Sequence, residues 1–325
     1  MQEATLIPSR PALVGWCRVV EDGSRLLLEH GGSLVTLEGR AVRALLPSLL
    51  PLLDGTRTRD EIAVALGRPV EPAVVHALAL LTHHGLLVDG APREPDGTPG
   101  TAAASYVAAV TRRTNVTDAS AALGEAKVVV LGSGVGADAA AEQLQHTGFL
   151  HVDRGPIEGP VDADTLVVAS PCPEEVDELT SLNHRRLDDG GAWIQLLPYD
   201  GRHLVIGPLF LPGASACRAC YVMRRGACSG YEEDFERIDR VPLRASAPPS
   251  LAAAAAALAA VMALRWCTVR DPTLPGCLYA LDPGPVIRLS HHRLLRVPRC
   301  AACGPRRPDS PATAAAPPTT PSRPT

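Results

Sequence analysis

Residues 127–137 read KVVVLGSGVGA, a run of β-branched residues that ends in three closely spaced glycines. The run predicts a short buried strand, and the residues that follow it, to about Thr147, have the pattern of a helix. A second apolar run, Leu150 to Val152, leads into Asp153, which comes 21 positions after Gly132. A strand, a glycine turn, a helix, a second strand and an acid in this order are typical of a nucleotide-binding unit.

Each small residue of this turn has a physical use. The first glycine permits the tight turn, the second lets backbone approach a pyrophosphate, and Ala137 allows the helix to pack closely on the strand. The predicted nucleotide-binding residues are therefore Gly132, Gly134, Gly136 and Asp153. The alternative is that the binding site has been lost and the glycines remain because they allow close packing.

The composition of the 325-residue chain limits its possible functions. With 46% hydrophobic residues and a net charge of −4, the chain can form one large or two modest domains. Only 3% of residues are aromatic and the charge is slightly acidic, so nucleic acid is not an expected partner. The longest apolar run, Leu251 to Leu264, has 14 residues, fewer than a membrane helix needs, and Met1 to Arg10 lacks signal-peptide features. We expect a cytoplasmic protein with no membrane partner.

Two Cys-x-x-Cys motifs indicate a metal site. Cys217 and Cys220 form the first, Cys300 and Cys303 form the second, and 79 residues separate the two motifs. Four thiolates leave a tetrahedral ion no open position, so the pattern predicts a structural zinc site. The alternative is a redox dithiol, but that chemistry needs one such motif at the start of a helix. Among the remaining cysteines, Cys228 is the best candidate for a reactive thiol because its surroundings are basic.

The first 88 residues have the pattern of a small separate domain. Apolar runs predict three strands, at 14–20, 25–30 and 33–37. Helical spacing then predicts three helices, at 42–50, from the Thr58–Glu61 capping box to Gly67, and from Pro72 to His84. Three strands and three helices make a winged-helix-like domain. A DNA-binding winged helix is not favoured, because the third helix contains no Arg or Lys.

Two segments of biased composition separate and end the domains. Residues 89–101 combine proline, glycine and charge, which predicts an exposed linker. Residues 304–325 contain few large apolar groups, and we expect them to be disordered. Between the two segments, residues 102–303 hold the glycine turn, further strand patterns and an alanine-rich helical stretch at 252–266. These residues predict a Rossmann-like α/β domain.

Several of these motifs together resemble a known family. Residues 127–153 and 205–303, including the IGPL stretch at 206–209, the PGASACRAC stretch at 212–220 and the closing Cys-x-x-Cys, resemble the ThiF-like fold of ubiquitin-type activating enzymes. They are more similar to the branch found in thiazole/oxazole-modified peptide and thiopeptide antibiotic biosynthesis. Residues 1–88 resemble a PqqD-like peptide-recognition element, notably in LEG at 37–39 and LLDGTRT at 52–58.

The resemblance implies an ocin-ThiF-type partner of a cyclodehydratase. Such a protein binds the leader of a ribosomally made precursor peptide and presents the core to a YcaO-type enzyme, which uses ATP to make azoline rings from Cys, Ser or Thr. The leader is expected to add as a strand beside the third strand and to pack on the third helix. The peptide-binding residues that this implies are Ser33, Leu34, Val35, Thr36, Leu37, Val74, Leu78 and Leu81. Domains of this fold often pair, so a homodimer is a further expectation.

One departure from the adenylating relatives bears on catalysis. Those relatives follow the acid with an Asn-Leu-x-Arg-Gln-like stretch, whereas Asp153 is followed here by RGPIEG at 154–159. The only lysine is Lys127, which lies before the strand. We therefore predict a non-catalytic scaffold, with ATP used by the partner enzyme. The alternatives are an active ThiF-type enzyme that adenylates a peptide or carrier C-terminus, and a nicotinamide-dependent oxidoreductase.

Overall fold

The computed structural model of the chain describes residues 7–22, 25–67, 70–90 and 99–304. Most of the predicted linker, 91–98, and all but the first residue of the predicted disordered tail, 305–325, lie outside the described residues.

The N-terminal unit combines a three-stranded antiparallel sheet with three helices. Its elements are β1 (Pro11–Leu13), β2 (Arg18–Asp22), β3 (Arg25–His30), β4 (Ser33–Glu38), α1 (Arg40–Leu49), a 3-10 turn (Leu50–Leu52), α2 (Arg59–Leu66), α3 (Glu71–His83) and β5 (Leu87–Asp89). The strand order of the sheet is β2-β3-β4, and β1 pairs separately with β5. At the start of α2 the predicted capping box is present, since the Glu61 N–H donates to Thr58 Oγ1 and the Thr58 N–H donates to the Glu61 carboxylate.

The β1–β5 pair is absent from the sequence prediction, and β2 begins at Arg18 rather than Val14. Residues 14–17 turn between the two sheets instead of extending the strand. Leu28, Leu49 and Ile62 are fully buried between the sheet and the helices. Assignment of this unit as a winged-helix peptide-recognition domain stays a prediction.

The second unit is a mixed α/β domain around a seven-stranded sheet. Its elements are α4 (Pro99–Thr111), α5 (Val116–Glu125), β6 (Lys127–Leu131), α6 (Val135–Thr147), β7 (His151–Gly155), β8 (Leu166–Ala169), a 3-10 turn (Pro173–Glu175), α7 (Glu178–Asp189), β9 (Trp193–Leu196), β10 (Leu204–Phe210), α8 (Arg218–Ala227), α9 (Glu232–Asp239), α10 (Pro249–Val269), β11 (Cys277–Asp282) and β12 (Arg288–Arg293). The strand order is β12-β11-β10-β9-β8-β6-β7. Strands β7, β6, β8 and β9 are parallel, and the other pairs are antiparallel. The α/β fold class is thus confirmed for this unit.

Helices cover both faces of the sheet. All four residues of β8 are buried, as expected for a central parallel strand. On one face, α10 packs against α6 and β10, and its alanines allow a close approach. Its 21 residues are long and apolar enough to span a membrane, but half of its apolar window is buried inside the fold, as in a core helix. On the other face, α7 and α8 pack over β8 and β9.

Candidate functional site

The glycine turn joins β6 to α6 at the carboxyl ends of the parallel strands. Strand β6 lies between β7 and β8, which follow it in the chain and pair with opposite sides of it. Ligands of open α/β sheets bind in the crevice that such a reversal of strand order creates. The predicted strand, turn and helix therefore lie at the position where the fold class places a site.

The small residues of this turn accommodate another part of the chain. A Cβ atom added to Gly132 would lie 2.4 Å from the Ser170 carbonyl oxygen, and one added to Gly134 would lie 2.5 Å from that of Pro171. Gly132 also has a φ of +114°, which side chains rarely adopt. Residues 170–172, the segment that leaves β8, thus occupy the space next to the glycines.

A carboxylate binds the backbone of the turn. The Ser133 N–H and the Cys172 N–H both donate to Glu175 Oε2, each at 2.9 Å. Partial burial of Glu175 raises its pKa, but the hydrogen bonds from Ser133 and Cys172 outweigh this effect, and the net pKa is lowered. Glu175 is therefore charged at neutral pH and stands where a bound anion would lie. The sequence analysis missed this residue, because no motif links it to the glycines.

Asp153 was expected near the turn, and the structure brings Arg154 close to it. Asp153 lies inside β7, with its Cα opposite Val129, and Gly155 is the residue at the strand end beside Leu131. The predicted nucleotide-binding acid is therefore two residues away from the carboxyl edge of the sheet. Arg154 donates instead to the Asp138 carboxylate and to the Gly132 carbonyl oxygen, so a cation is present but is already paired.

The turn as described does not fit the phosphates of a nucleotide. The cavity beside Gly134, Gly136 and Cys172 has a volume of about 40 Å³, whereas ligand pockets usually have roughly 300–1,000 Å³. The Ser133 N–H is bonded to Glu175, and the Gly134 N–H donates to the Ser170 carbonyl oxygen at 3.3 Å. An incoming phosphate would also meet the negative charge of Glu175.

A larger cavity adjoins this one. Its volume is about 250 Å³, and the two cavities share Pro173, Leu197 and Pro198. Tyr221 and Phe235 line this cavity together with charged residues, among them Asp177, Asp200 and Arg225, so its surface is part polar and part apolar. Burial raises the pKa of Tyr221 to about 12, and within the described residues its hydroxyl has no hydrogen-bond partner. Tyr221 is therefore a protonated donor available to a bound molecule, and no sequence motif pointed to it.

The four predicted metal ligands meet in one cluster. The Sγ atoms of Cys217, Cys220, Cys300 and Cys303 all lie within 4.8 Å of one another. The closest separations are 3.9 Å for Cys217–Cys220, 3.8 Å for Cys217–Cys300 and 3.6 Å for Cys220–Cys303. A tetrahedral ion with Zn–S bonds of about 2.3 Å requires S···S separations of about 3.8 Å. The cluster therefore fits a single zinc ion.

Local structure places these thiols and changes their pKa values in different directions. Cys217 is the N-cap residue of α8 and Cys220 lies in its first turn, while Cys300 and Cys303 lie on the segment after β12. Burial raises the pKa of Cys217. Burial also raises that of Cys300, but N–H groups of Cys303 and Ala302 outweigh it and lower the pKa to about 7. Cys228, in contrast, is exposed at the end of α8 and lies outside the cluster.

The predicted peptide-binding residues divide into two groups. Ser33, Leu34, Val35, Thr36 and Leu37 lie on β4, an edge strand, and Leu34 is 60% exposed. The three helical residues are misplaced, because Val74, Leu78 and Leu81 are at most 1% exposed and form the core of the unit. A peptide cannot reach them in this structure. The outward positions of α3 are Ala73, His76, Ala79 and His83.

The comparisons with known proteins establish the fold. No protein-family profile and no curated protein matches the sequence. The solved structure of the heterocyclase TruD matches with a TM-score of 0.66 and 22% identity, covering 91% of this chain and 43% of TruD. E. coli MccB solved with ATP matches with a TM-score of 0.64 and 15% identity, covering 90% of this chain and 99% of MccB. MccB solved with AMPCPP and MccA gives a TM-score of 0.65, with 15% identity and the same coverage.

These matches cover 90% or more of this chain, so both units share their arrangement with the solved structures. This supports the fold expected from the ThiF-like resemblance, while the PqqD-like element and the thiopeptide branch stay predictions. The chain spans less than half of the length of TruD.

The prediction of a non-catalytic chain is wrong. The same fold occurs in TruD, which is described as a heterocyclase, in a heterocyclase solved with substrate and cofactor, and in MccB, which was solved with ATP. The prediction treated the missing lysine and the missing Asn-Leu-x-Arg-Gln-like stretch as loss of catalysis. A missing motif does not show which other residues carry a reaction.

Proposed function

We propose that this chain is an enzyme that modifies a ribosomally made precursor peptide. The observation that carries the proposal is the shared arrangement of both units, over at least 90% of the chain, with a heterocyclase and with MccB. A Rossmann-like sheet alone would match many unrelated enzymes. The combination of that sheet with the N-terminal unit is much more restrictive.

In this proposal the N-terminal unit binds the leader of the peptide through the open edge of β4. An extended peptide can pair with the free backbone groups of this strand. Contacts with exposed side chains such as Leu34 then fix the register of the peptide against β4. Helix α3 contributes only through its outward positions, because Val74, Leu78 and Leu81 are buried.

Binding of a labelled leader peptide to the full chain tests this step. We expect micromolar affinity and a loss of about tenfold or more for Val35→Pro, because proline removes a backbone donor and disturbs the edge strand. Val19→Pro, on β2 at the opposite edge of the same sheet, is the matched control. Equal loss in both variants, or no loss in either, would place the leader elsewhere.

The activity that we propose is ATP-dependent activation of the bound peptide, the adenylating alternative of the sequence analysis. Its support is the match to MccB, which was solved with ATP. We assign no position to the nucleotide, because Glu175 holds the glycine turn. The neighbouring 250 Å³ cavity, with the unpartnered Tyr221 hydroxyl, is available to bind a part of the substrate.

Exchange of labelled pyrophosphate into ATP by the purified chain tests adenylation. Exchange that requires the precursor peptide is the expected result, and a parallel reaction without peptide is the control. A chain that binds the leader but never exchanges pyrophosphate would contradict adenylation and leave peptide binding intact.

A second candidate is a heterocyclase assembled from this chain and a YcaO-type protein. The observation that favours it is the coverage of TruD, since this chain corresponds to 43% of that heterocyclase and a separate protein would have to supply the rest. Reconstitution of chain, partner and precursor peptide with ATP should then remove water from the peptide. Omitting this chain should abolish the change in peptide mass, and an unchanged yield without it would exclude the candidate.

We also propose that the four-cysteine cluster binds Zn²⁺. The S···S separations of 3.6–3.9 Å and the donor set of four thiols support zinc as a structural ion that ties residues 300–303 to α8.

A further inference from the structure

Strand β12 leaves one side of the seven-stranded sheet open. It pairs with β11 through six consecutive residues, from Arg288 opposite Asp282 to Arg293 opposite Cys277. No other described strand pairs with its outer side, and all six of its residues are exposed. The outer backbone N–H and C=O groups can therefore bind a further strand.

Exposed apolar side chains surround this edge. Val286, Ile287, Leu289 and Leu295 are each 50–72% exposed. Scattered apolar residues are normal on a protein surface, but these four either lie on the open strand or flank its two ends. Charged residues alone can protect an edge from pairing. The apolar residues work against such protection, so they favour a binding surface.

The charge of the segment that follows Asp282 has a single sign, while Asp282 itself, on β11, lies opposite Arg288. Between Asp282 and Gly304 the sequence contains four arginines, two histidines and no acidic residue. Arg288 and Arg293, at the two ends of β12, form no ion pair with any residue that the structure describes. Arg288 and His292 share one face of the strand, and Leu289 lies on the other face.

A second copy of this chain is a poor occupant of the edge. A symmetric antiparallel pair of two β12 strands would bring four arginines together, with no acidic residue on either strand. Like charges that lie close together across a strand pair destabilise it. An acidic strand would instead offer opposite charge to Arg288 on one face and to Arg293 on the other, and would add apolar contacts at Leu289.

We propose that β12 binds an extended, acidic segment of a partner protein, which adds to the sheet as an eighth strand. The position is remote from the glycine turn, because four strands separate β12 from β6, about 24 Å at the usual spacing. A partner can dock here without covering the crevice. The proposal is independent of the proposed function, since it does not depend on what the chain does with peptide or ATP.

Fluorescence anisotropy with synthetic peptides tests the proposal on the full chain. The probe is an end-blocked, labelled peptide of about nine residues with two glutamates at each end and valines between them, so that an acid lies on each face at both ends of the strand. The comparison peptide has lysine in place of each glutamate. We expect the acidic probe to bind at least about tenfold more tightly, and its affinity to fall with added salt.

Charge reversal provides the variant. Arg288→Glu combined with Arg293→Glu should reverse the preference, so that the lysine peptide binds better. Arg237→Glu, on α9, is the matched control because the side chain of this arginine is 86% exposed and lies on a different element. Hydrogen exchange should show protection of residues 288–293 when the acidic probe is bound.

Three results would overturn the proposal. They are equal binding of both peptides, a preference that survives the double charge reversal, and protection confined to the edges of the N-terminal sheet. Loss of peptide modification in the double variant would not count in favour of the proposal, because the binding measurements do not depend on activity.

Discussion

The glycine turn and the four-cysteine cluster both lie at the start of a helix, α6 and α8 respectively, but they differ in what the chain supplies to them. At the glycine turn the chain supplies its own anion, Glu175, which binds the Ser133 N–H at 2.9 Å. At the cysteine cluster the four Sγ atoms face one another within 4.8 Å, and no cation of the described chain lies among them.

The difference shows what a motif can and cannot indicate. Both motifs report a chemical capacity, anion binding in one case and metal binding in the other. Whether these binding groups are available to a ligand, or are already occupied by the chain itself, depends on residues far away in sequence. Glu175 lies 42 positions from Ser133, whereas at the cysteine cluster the described chain supplies backbone N–H donors, such as that of Val297 to Cys220 Sγ, but no cation. The comparison predicts that the cluster depends on an added ion and that the turn does not.

The largest expected effect is at the cluster. Cys217→Ser or removal of metal with a chelator should destabilise the α/β unit by at least about 4 kcal/mol, because loss of a structural metal is among the few changes with effects of that size. Metal analysis of the purified protein should give about one zinc per chain, and thermal unfolding measures the loss.

Cys228→Ser is the matched control for this substitution. It removes an exposed thiol at the other end of the same helix and should leave both zinc content and unfolding temperature unchanged. A folded, metal-free protein with four titratable cluster thiols would contradict the zinc assignment.

The cysteine cluster was predictable because its information is local and redundant. Each Cys-x-x-Cys pair can present two thiols to one ion, so the sequence needed only to bring the two pairs together. The strand, turn and helix at 127–147 were predictable for the same reason, since β-branched residues, glycines and helical spacing follow one another directly.

The sequence predictions that failed have one cause. Each depends on contacts between residues that are far apart in sequence. The role of Glu175 requires β8 to lie beside β6, and strand order is not written in either segment. Asp153 was placed at a strand end, but pairing with β6 extends β7 to Gly155. In α3 apolar residues surround most of the helix, so the pattern marks no single core face, and Val74, Leu78 and Leu81 were assigned to peptide binding only from the resemblance.

The next largest effect is expected at Gly132. In Gly132→Ala the added Cβ would lie 2.4 Å from the Ser170 carbonyl oxygen, at a φ of +114°. The left-handed backbone costs about 1–2 kcal/mol and the overpacking about 1–3 kcal/mol more. Denaturant unfolding measures the sum.

Gly190→Ala separates these two costs. Gly190 has a φ of +79°, and nothing lies within 4 Å of its added Cβ, so only the backbone cost applies. If both variants lost the same stability, the contact between the turn and residues 170–172 would not be close, and the glycines would be free to face a ligand.

A smaller loss is expected for Glu175→Ala. The substitution leaves the Ser133 and Cys172 N–H groups without their acceptor, which costs about 1–3 kcal/mol. Inorganic phosphate should then raise the unfolding temperature of the variant more than that of the wild type, because it can bind the exposed N–H groups. Glu142→Ala, an exposed position on α6, is the control. Equal stabilisation of wild type by phosphate would show that Glu175 does not hold the turn.

The smallest expected effect is a change with pH in the stability difference between the wild type and a Glu175 variant. Hydrogen bonds from Ser133 and Cys172 outweigh the effect of burial and lower the pKa of Glu175 in the folded state. The contribution of its charge is therefore complete above the ordinary glutamate pKa of about 4.3 and is lost as the pH falls through the lower folded value.

The free energy of unfolding of the wild type should thus exceed that of Glu175→Gln at pH 7, and the gap should narrow below about pH 4. Acid also protonates cysteines and releases bound metal, but it does so equally in both proteins, so the cluster cancels from the difference. A gap that stays constant from neutral pH to pH 3 would mean that the carboxylate charge is not what binds the turn. In that case the glycine turn would resemble the cysteine cluster, because both sites would need an added ligand to be complete.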